Sequence, residues 1–407
     1  MTLIECFTAS HTDNIAACLA LCPDRMVLMG NASEMEKPAR RYRDLLRQRG
    51  MSTEILLWDV QHRDPEGIHG ALKKVLLGAK ECVIDLSGGD EPVILAVGAV
   101  WAELPAETRK GIRIVKFDHA ANGFRDCIRN NARIKAADVH LTVEEMIALC
   151  GGTVLPDAYQ PPADSSPRDL AGLWDVVSEA PRDWNRWIMQ LREFESRSDS
   201  QMQMFLPLAH LRSGISDFDR KEENIRSLLD KLQRKGVVDD RSSAAALEYT
   251  YNSRLLRFCT EKAGNVLEVK TLLEGRWVQQ KDVPYFGDCQ MSVSIDWDGI
   301  VHDPGERIPE TRNEIDVILM HGTVPLFVSC KNGNIGEEEL YKLHTVAERF
   351  GGPYAKKMLI ATELDRKSPA ANRAFIQRAW DMDIFLVTDA AELSETEWRQ
   401  ILIKAMQ

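Results

Sequence analysis

The sequence predicts an α/β protein with a Rossmann-like N-terminal domain, a helical middle segment and a C-terminal α/β sandwich. Three observations carry this expectation. Residues 1 to about 120 alternate short, nearly continuous apolar runs with helix-spaced stretches, the pattern of a parallel sheet covered on both faces. Residues 151–180 begin with "GGTVLPDAYQPPADSSP", a concentration of Gly, Pro, Ser and Asp that marks a linker. Beyond about residue 245, helix, mixed strands and helix follow one another. At 407 residues the chain exceeds what one hydrophobic core usually serves.

In the first region "TLIECF", "RMVLMG", "TEILLWDV", "ECVIDLSG" and "IRIVKFD" read as strands, with helices around 36–49, 66–79 and 91–103. Ligands of such sheets bind beyond the carboxyl ends of the strands, so the loops there carry the functional information. The first, "TASHTDN" (8–14), is rich in hydroxyl and amide groups and has no GxGxxG. The loop after the fourth strand, "LSGGDEP" (86–92), has two glycines that permit close backbone approach and expose N–H groups at a helix start. A plain tight turn would also account for that pair. Together the two loops favour a phosphate-bearing ligand over a dinucleotide.

After the linker, "WDVVSEAPRDWNRWIMQLREFES" and "KEENIRSLLDKLQRKGVV" have helical periodicity, the second ending at a glycine stop, Gly236. "IRSLLDKLQRKGVV" has the look of a winged-helix recognition segment, although amphipathic helices of that composition are common. The predicted domains are 1–150, 151–245 and 246–407.

In the third region "SRLLRFCTEKAGNVLEVKTLLEG" (253–275) reads as helix, glycine break, helix. A strand-rich "FGDCQMSVSIDWDG" follows, then "NEIDVILMHGTVPLFVSCKNG" (313–333), a hairpin with its turn near Gly322. The helix "EEELYKLHTVAERFGG", the strand "KKMLIAT" and a last helix and strand complete the sandwich. Residues two apart share a face of a strand, which groups Glu314 with Asp316 and Ser329 with Lys331. In register, carboxylates and an ammonium converge, with Glu268 supplied by the packed helix. Such a cluster suits a hard divalent cation, which takes oxygen ligands and generates hydroxide for attack on phosphorus. A buried Asp–Lys pair or a solvated strand edge would explain the charges equally simply.

Composition limits the function classes. The apolar content of 44% and charged content of 28% are those of a globular protein, and a net charge of −11 argues against a protein that mainly coats nucleic acid. No 18-residue apolar run or signal core occurs, so a cytoplasmic protein without a membrane span is expected. The nine cysteines lack zinc-ligand spacing and read as buried thiols.

The stretch "NEIDV…LFVSCKNG", preceded by "AGNVLEV" and followed by "EELYKLHTVAERFGG" and "YAKKMLIAT", resembles the PD-(D/E)xK nuclease domain. More narrowly, the chain is similar to the CARF-domain nucleases of type III CRISPR systems, with "TASHTDN" and "LSGGDEP" in the ligand-sensing CARF half. The resemblance, strong over 260–365, moderate over 1–120 and weak over the middle, implies an N-terminal CARF domain and a restriction-endonuclease-like C-terminal domain. It implies that Asp316 and Glu268 bind metal, Mn2+ or Mg2+, that Lys331 is the motif lysine and that the Cys330 carbonyl is a neutral ligand. Glu268 stands in "GNVLE", the counterpart of a GxWLE pattern. The second acidic position falls on Ser329, a departure for which Glu314 is the candidate replacement, giving a catalytic set of Glu268, Glu314, Asp316 and Lys331. The implied activator is a cyclic oligoadenylate, most simply cyclic tetra-adenylate, bound by a homodimer. Thr8, Ser10, His11, Asn14, Gly88, Gly89 and Asp90 are its candidate lining. The family usually continues its Gly-Gly loop with Thr and a basic residue, whereas Asp90, Glu91 and Pro92 stand here.

The implied activity is an activator-gated, metal-dependent endonuclease acting on DNA, RNA or both. Two other classes remain: a ligand-responsive nucleic-acid-binding regulator with an inactive nuclease fold, and a dinucleotide-dependent oxidoreductase. The absent GxGxxG counts against the second.

Overall fold

The computed structural model describes residues 1–407 except 61–63, 79–80, 90, 135, 157–158, 198–199, 301–311, 334 and 365–367. Asp90 therefore lies outside the described residues. The N-terminal part runs β1 (Thr2–Cys6), α1 (His11–Leu21), β2 (Arg25–Gly30), α2 (Ala32–Gln48), β3 (Glu54–Asp59), α3 (Pro65–Gly78), β4 (Cys82–Asp85), α4 (Glu91–Glu103), α5 (Ala106–Lys110), β5 (Ile112–Asp118) and β6 (Gly123–Asp126). Its sheet has the order β3-β2-β1-β4-β5-β6, parallel except for β6. The strand order reverses between β1 and β4, so their carboxyl ends form the switch point where such sheets place a ligand. Leu3, Met26 and Leu28 pack under α1 and α2, while Ile4, Val27 and Ile84 pack under α3 and α4. The apolar runs of β1, β2 and β4 are buried for that reason, whereas β3, at the sheet edge, buries Ile55 and exposes Leu56. The first loop is shorter than expected, because His11 already begins α1 and Ser10 caps it, accepting from the Asp13 N–H.

The remaining elements are α6 (Val143–Leu149), β7 (Thr153–Val154), α7 (Pro167–Glu179), α8 (Pro181–Glu195), β8 (Gln203–Pro207), α9 (Leu208–Leu211), α10 (Phe218–Arg234), β9 (Val238–Asp240), β10 (Ala246–Tyr251), α11 (Arg254–Glu261), α12 (Asn265–Trp277), β11 (Gln279–Gln280), β12 (Val283–Pro284), β13 (Asp288–Asp296), β14 (Arg312–His321), β15 (Val324–Gly333), α13 (Glu337–Gly351), β16 (Lys356–Leu364), α14 (Pro369–Asp381), β17 (Ile384–Val387) and α15 (Glu395–Ala405). Strands β8, β10 and β9 form a small antiparallel sheet in that order. With α8, α9 and α10 they follow the helix-strand-helix-helix-strand-strand order of a winged helix. The C-terminal sheet has the order β17-β16-β15-β14-β13-β7. Its β13–β14 and β14–β15 pairs are antiparallel and its β15–β16 and β16–β17 pairs parallel.

The segment 151–180, expected to be a linker, is corrected at both ends. Thr153 and Val154 pair with Asp296 and Ile295 as the edge of the C-terminal sheet, and Pro167–Glu179 is a capped helix. The first and third regions also share a core: Leu3, Ile15 and Phe117 belong to one apolar cluster with Ile318, Phe327 and Leu343. The β14–β15 hairpin reaches this seam at its tip. Gly322 has φ +61, a Cβ there would stand 2.9 Å from the Asn122 amide, and its carbonyl accepts from the Leu141 N–H.

Cys6, Cys18, Cys82, Cys259, Cys289 and Cys330 are buried, but Cys22 and Cys127 are exposed, against the expectation for the set. No described helix is long and apolar enough to cross a membrane.

Candidate active site

The hairpin ladder explains how charges enter an apolar sheet. Strands β14 and β15 pair from His321–Val324 to Val317–Val328 and no further. The next positions, Asp316 and Ser329, are where the strands part. There the Asp316 carboxylate takes the place of the missing main-chain acceptor. Its Oδ2 accepts from the Cys330 N–H (2.6 Å), the Ser329 hydroxyl (3.3 Å) and the Lys331 ammonium (3.3 Å). Asp316 is thus a hub held by three consecutive residues of β15. An extended residue carries its N–H and carbonyl on the same edge, so the Cys330 carbonyl also faces this gap. The Cys330 thiol points the other way, into the core beside Thr271.

A second irregularity sits opposite. Ser292 of β13 has φ +48, a left-handed conformation costly for a non-glycine residue, and its pairing with Asp316 is absent from an otherwise continuous register. The pleat inverts there. Cys289 and Met291 enter one core, whereas Val293 and Ile295, of the same parity, enter the other. The inversion turns Ser294 and Glu314 toward α12, so that Glu314, Asp316, Ser292 and Glu268 line one cleft of about 740 Å³. Ser292 donates to Glu268 (3.3 Å). Burial, and then the charges of Asp316 and Glu314, push the Glu268 carboxyl up to about 7.

Lys331 approaches from the α13 side and bridges Asp316 and Glu339 (3.2 Å). Burial disfavours its charge, but the two carboxylates outweigh burial and hold its pKa above the usual lysine value. The two carboxylates thus favour its ammonium form, which is suited to stabilise negative charge. The middle module secures this corner. Asn185 of α8 donates to the Asn332 carbonyl (2.8 Å), and Asn332 and Trp184 both donate to the Ala263 carbonyl between α11 and α12.

A divalent cation fits this donor set in kind: the carboxylates of Asp316 and Glu268, that of Glu314 nearby, and one outward carbonyl. Among the described residues, no three His, Cys, Asp or Glu side chains already close on one point. Water would therefore have to complete the coordination.

In the N-terminal loops, Asn14 is fully buried, and its amide is spent on Thr8 and Tyr42. Asn14 Oδ1 accepts from the Thr8 N–H (2.9 Å), while its Nδ2 donates to the Thr8 carbonyl (2.7 Å) and to the Tyr42 hydroxyl (2.9 Å). It braces the loop from beneath, a role different from the lining expected of it. His11 Nδ1 meets the same Tyr42 hydroxyl at 2.8 Å. Burial, then Arg41 and Arg349, push its pKa down to about 4, so it is neutral at pH 7. Thr8, Ser10, Gly88 and Gly89 are partly exposed at the switch point. A Cβ on Gly88 would stand 2.6 Å from the Cys6 carbonyl and 2.7 Å from Thr8 Cγ2; on Gly89 the nearest atom is 3.5 Å away. Gly88 is thus the packing contact between the two loops.

Two groups escaped sequence reasoning. Glu5 and Asp85 are fully buried neighbours in the β1–β4 register, and burial first of all pushes the Asp85 carboxyl up to about 7. An acidic residue inside each of "TLIECF" and "ECVIDL" was the available signal. The second group joins the two sheets: His119 Nε2 bonds Asp13 Oδ1 (2.6 Å), and its Nδ1 bonds the Thr323 hydroxyl at the hairpin tip (3.0 Å). Its ring stacks on Tyr354 at 3.7 Å. No local sequence signal marks it.

No protein-family model and no curated protein sequence matches the chain. Solved structures do. Protein VC1899 from Vibrio cholerae superposes with a TM-score of 0.73 at 17% identity, covering 100% of this chain and 98% of that one. Can2 from Sulfobacillus thermosulfidooxidans, solved in complex with cyclic tetra-adenylate, gives 0.64 at 16%, covering 100% and 97%. The whole architecture is therefore shared with these proteins.

Proposed function

We propose that the chain is a cyclic-oligoadenylate-activated, metal-dependent nuclease of type III CRISPR defence, acting in the cytoplasm as a homodimer. The observation that carries this reading is the Asp316 hub: a carboxylate at a strand opening, gripped by Ser329, Cys330 and Lys331, sharing a cleft with Glu268 and Glu314. The end-to-end likeness to a protein solved with cyclic tetra-adenylate supports the choice of activator. Glu268, Asp316 and the Cys330 carbonyl would hold Mn2+ or Mg2+. A bound cation would supply Lewis acidity and a water of lowered pKa. Lys331 then acts as a fixed donor to charge developing on phosphorus, in a partly desolvated site where such a donor is most effective. Glu314, exposed on the cleft side, adds the negative charge that Ser329 does not provide.

Thr8, Ser10, Gly88 and Gly89 are the candidate contacts to the activator, with Asp90 following in sequence. The dimer reading draws on α4, which starts beside that loop and exposes Ile94 and Leu95, the latter 70% accessible. A two-fold pair of such surfaces would present equal half-sites to a symmetric ring. The regulator alternative needs α10 to grip duplex phosphates, but three basic residues on or at the end of that helix are already paired: Arg226 with Glu222 (2.8 Å), Arg234 with Asp230, and Lys235 at its C-cap with Asp175 (2.8 Å). The site is tested with Lys331→Ala. Cleavage falls at least about 100-fold, the scale seen when a transition-state donor is removed, while activator affinity by calorimetry is unchanged. A Lys331→Ala protein that cuts at the wild-type rate refutes the assignment.

A further inference from the structure

The cleft that holds the carboxylates has a second wall of opposite character. It is made by α11, which presents Arg254 and, one turn on, Phe258, with Lys262 at its C-cap. Arg254 and Lys262 are exposed, and neither is tied to a carboxylate among the described residues. The Phe258 ring lies in the cleft with Tyr159 stacked on it, centroids 4.2 Å apart and planes 26° from parallel. Arg257, also in the lining, is already committed: Glu195 accepts from it at 2.6 Å and from the Tyr249 and Tyr251 hydroxyls at 2.7 Å each. This buried network anchors α11 to the middle module, so the wall is rigid. Glu261 is the one acidic side chain that α11 adds to the lining, 4.0 Å from Arg257 Nε.

We propose that α11 is the substrate-positioning element, with Arg254 and Lys262 holding backbone phosphates on one side of the scissile bond and Phe258, backed by Tyr159, stacking an unpaired base. The proposal rests on the nuclease reading for the nature of the polymer and adds how it is held. The cleft separates the two charges a bound strand requires: carboxylates for a cation at one wall, uncommitted cations for phosphates at the other. Arg254 and Lys262 are eight residues apart, about 12 Å along a helix axis, a span of a few nucleotides at about 3.4 Å each in a stacked strand. An aromatic face receives a base only where the base is not already stacked in a duplex. Phe258 therefore selects single strands or locally opened duplex.

The test uses full-length protein and a single strand carrying 2-aminopurine at successive positions, whose fluorescence is quenched on stacking. In a Lys331→Ala background the strand binds and one position is quenched. Phe258→Ala removes the quenching and weakens binding by about tenfold, within the range for loss of one base–aromatic stack, and Phe258→Tyr restores both. Arg254→Ala with Lys262→Ala, both at the surface, raises KM in the cleaving enzyme and lowers the salt dependence of binding. If wild type cuts but Phe258→Ala and the double variant keep wild-type KM and quenching, α11 is not the positioning element and the nuclease reading stands. If wild type cuts nothing yet quenches the probe through Phe258, strand holding is supported and the nuclease reading falls. Equal losses on single strand and on intact duplex overturn the unpaired-base claim.

Discussion

Replacing Gly88 with alanine adds a single methyl group at the junction of the two N-terminal loops. The new carbon would stand 2.6 Å from the Cys6 carbonyl oxygen and 2.7 Å from Thr8 Cγ2, where ordinary contact begins near 3.4 Å. One partner is main chain, so no rotamer change relieves it, and one loop must shift by most of an ångström. Overpacking of this kind costs about 1–3 kcal/mol. If the shift displaces Thr8, that cost appears as roughly 5- to 150-fold weaker activator binding, at about 1.4 kcal/mol per decade. Gly89→Ala is the control, since its Cβ meets Ile94 and Val93 at 3.5 Å and costs almost nothing. Isothermal titration with cyclic tetra-adenylate, beside a thermal melt to confirm folding, measures both. Equal affinity for wild type and Gly88→Ala, or equal loss in the two variants, would refute the claim that the loops form one surface.

Asp85→Asn probes the buried acidic pair. The folded pKa of Asp85 is raised, so its contribution to stability is fully present below the unfolded value and is lost as pH rises toward about 7. Between pH 5 and pH 8 the wild type should lose about 3 kcal/mol relative to Asp85→Asn, read from urea denaturation at both pH values; a difference independent of pH contradicts this. His119→Ala removes the bonds to Asp13 and Thr323. Coupling between sites typically amounts to about 1–3 kcal/mol, so activator stimulation of cleavage should fall about tenfold while activator affinity stays within about twofold. Stimulation equal to wild type shows that coupling runs elsewhere.

Much of the fold is legible in the sequence because both sheets obey simple rules. The runs "RMVLMG" and "IRIVKFD" are strands end to end, since central parallel strands buried on two faces are nearly continuous in apolar residues. The hairpin and the break between α11 and α12 are legible from glycines at Gly322 and Gly264. The boundary at 151 is not, because the Gly-Gly that resembles a linker leads into two residues that pair with β13. Pairing at a sheet edge leaves no periodicity in a strand that short.

Within the candidate site, alternation groups Glu314 with Asp316 and Ser329 with Lys331, and the hairpin does bring Asp316 to Lys331. The reason they meet is hidden from the sequence. It lies in a ladder that stops at Val317–Val328 and a pleat that inverts at Ser292, a serine in a conformation no local signal announces. Period-two reasoning assumes an unbroken pleat. Asn14 misleads for a related reason: amide residues in a loop suggest ligand contacts, and only the packing of Tyr42 beneath it shows where the amide is used. The Asp13–His119–Thr323 link spans 106 and 204 residues of sequence, a separation at which side-chain pairing leaves no trace in one sequence.

A gated nuclease must meet two conditions at once before it cuts, and a single assay isolates both. Supercoiled plasmid and a labelled single-stranded RNA are incubated with the protein and manganese, with and without cyclic tetra-adenylate, and with metal chelated. Gating by ligand and dependence on metal require cleavage of at least one substrate only when activator and metal are both present. Tight activator binding without cleavage of either, or cleavage at the same rate without activator, contradicts the proposed function.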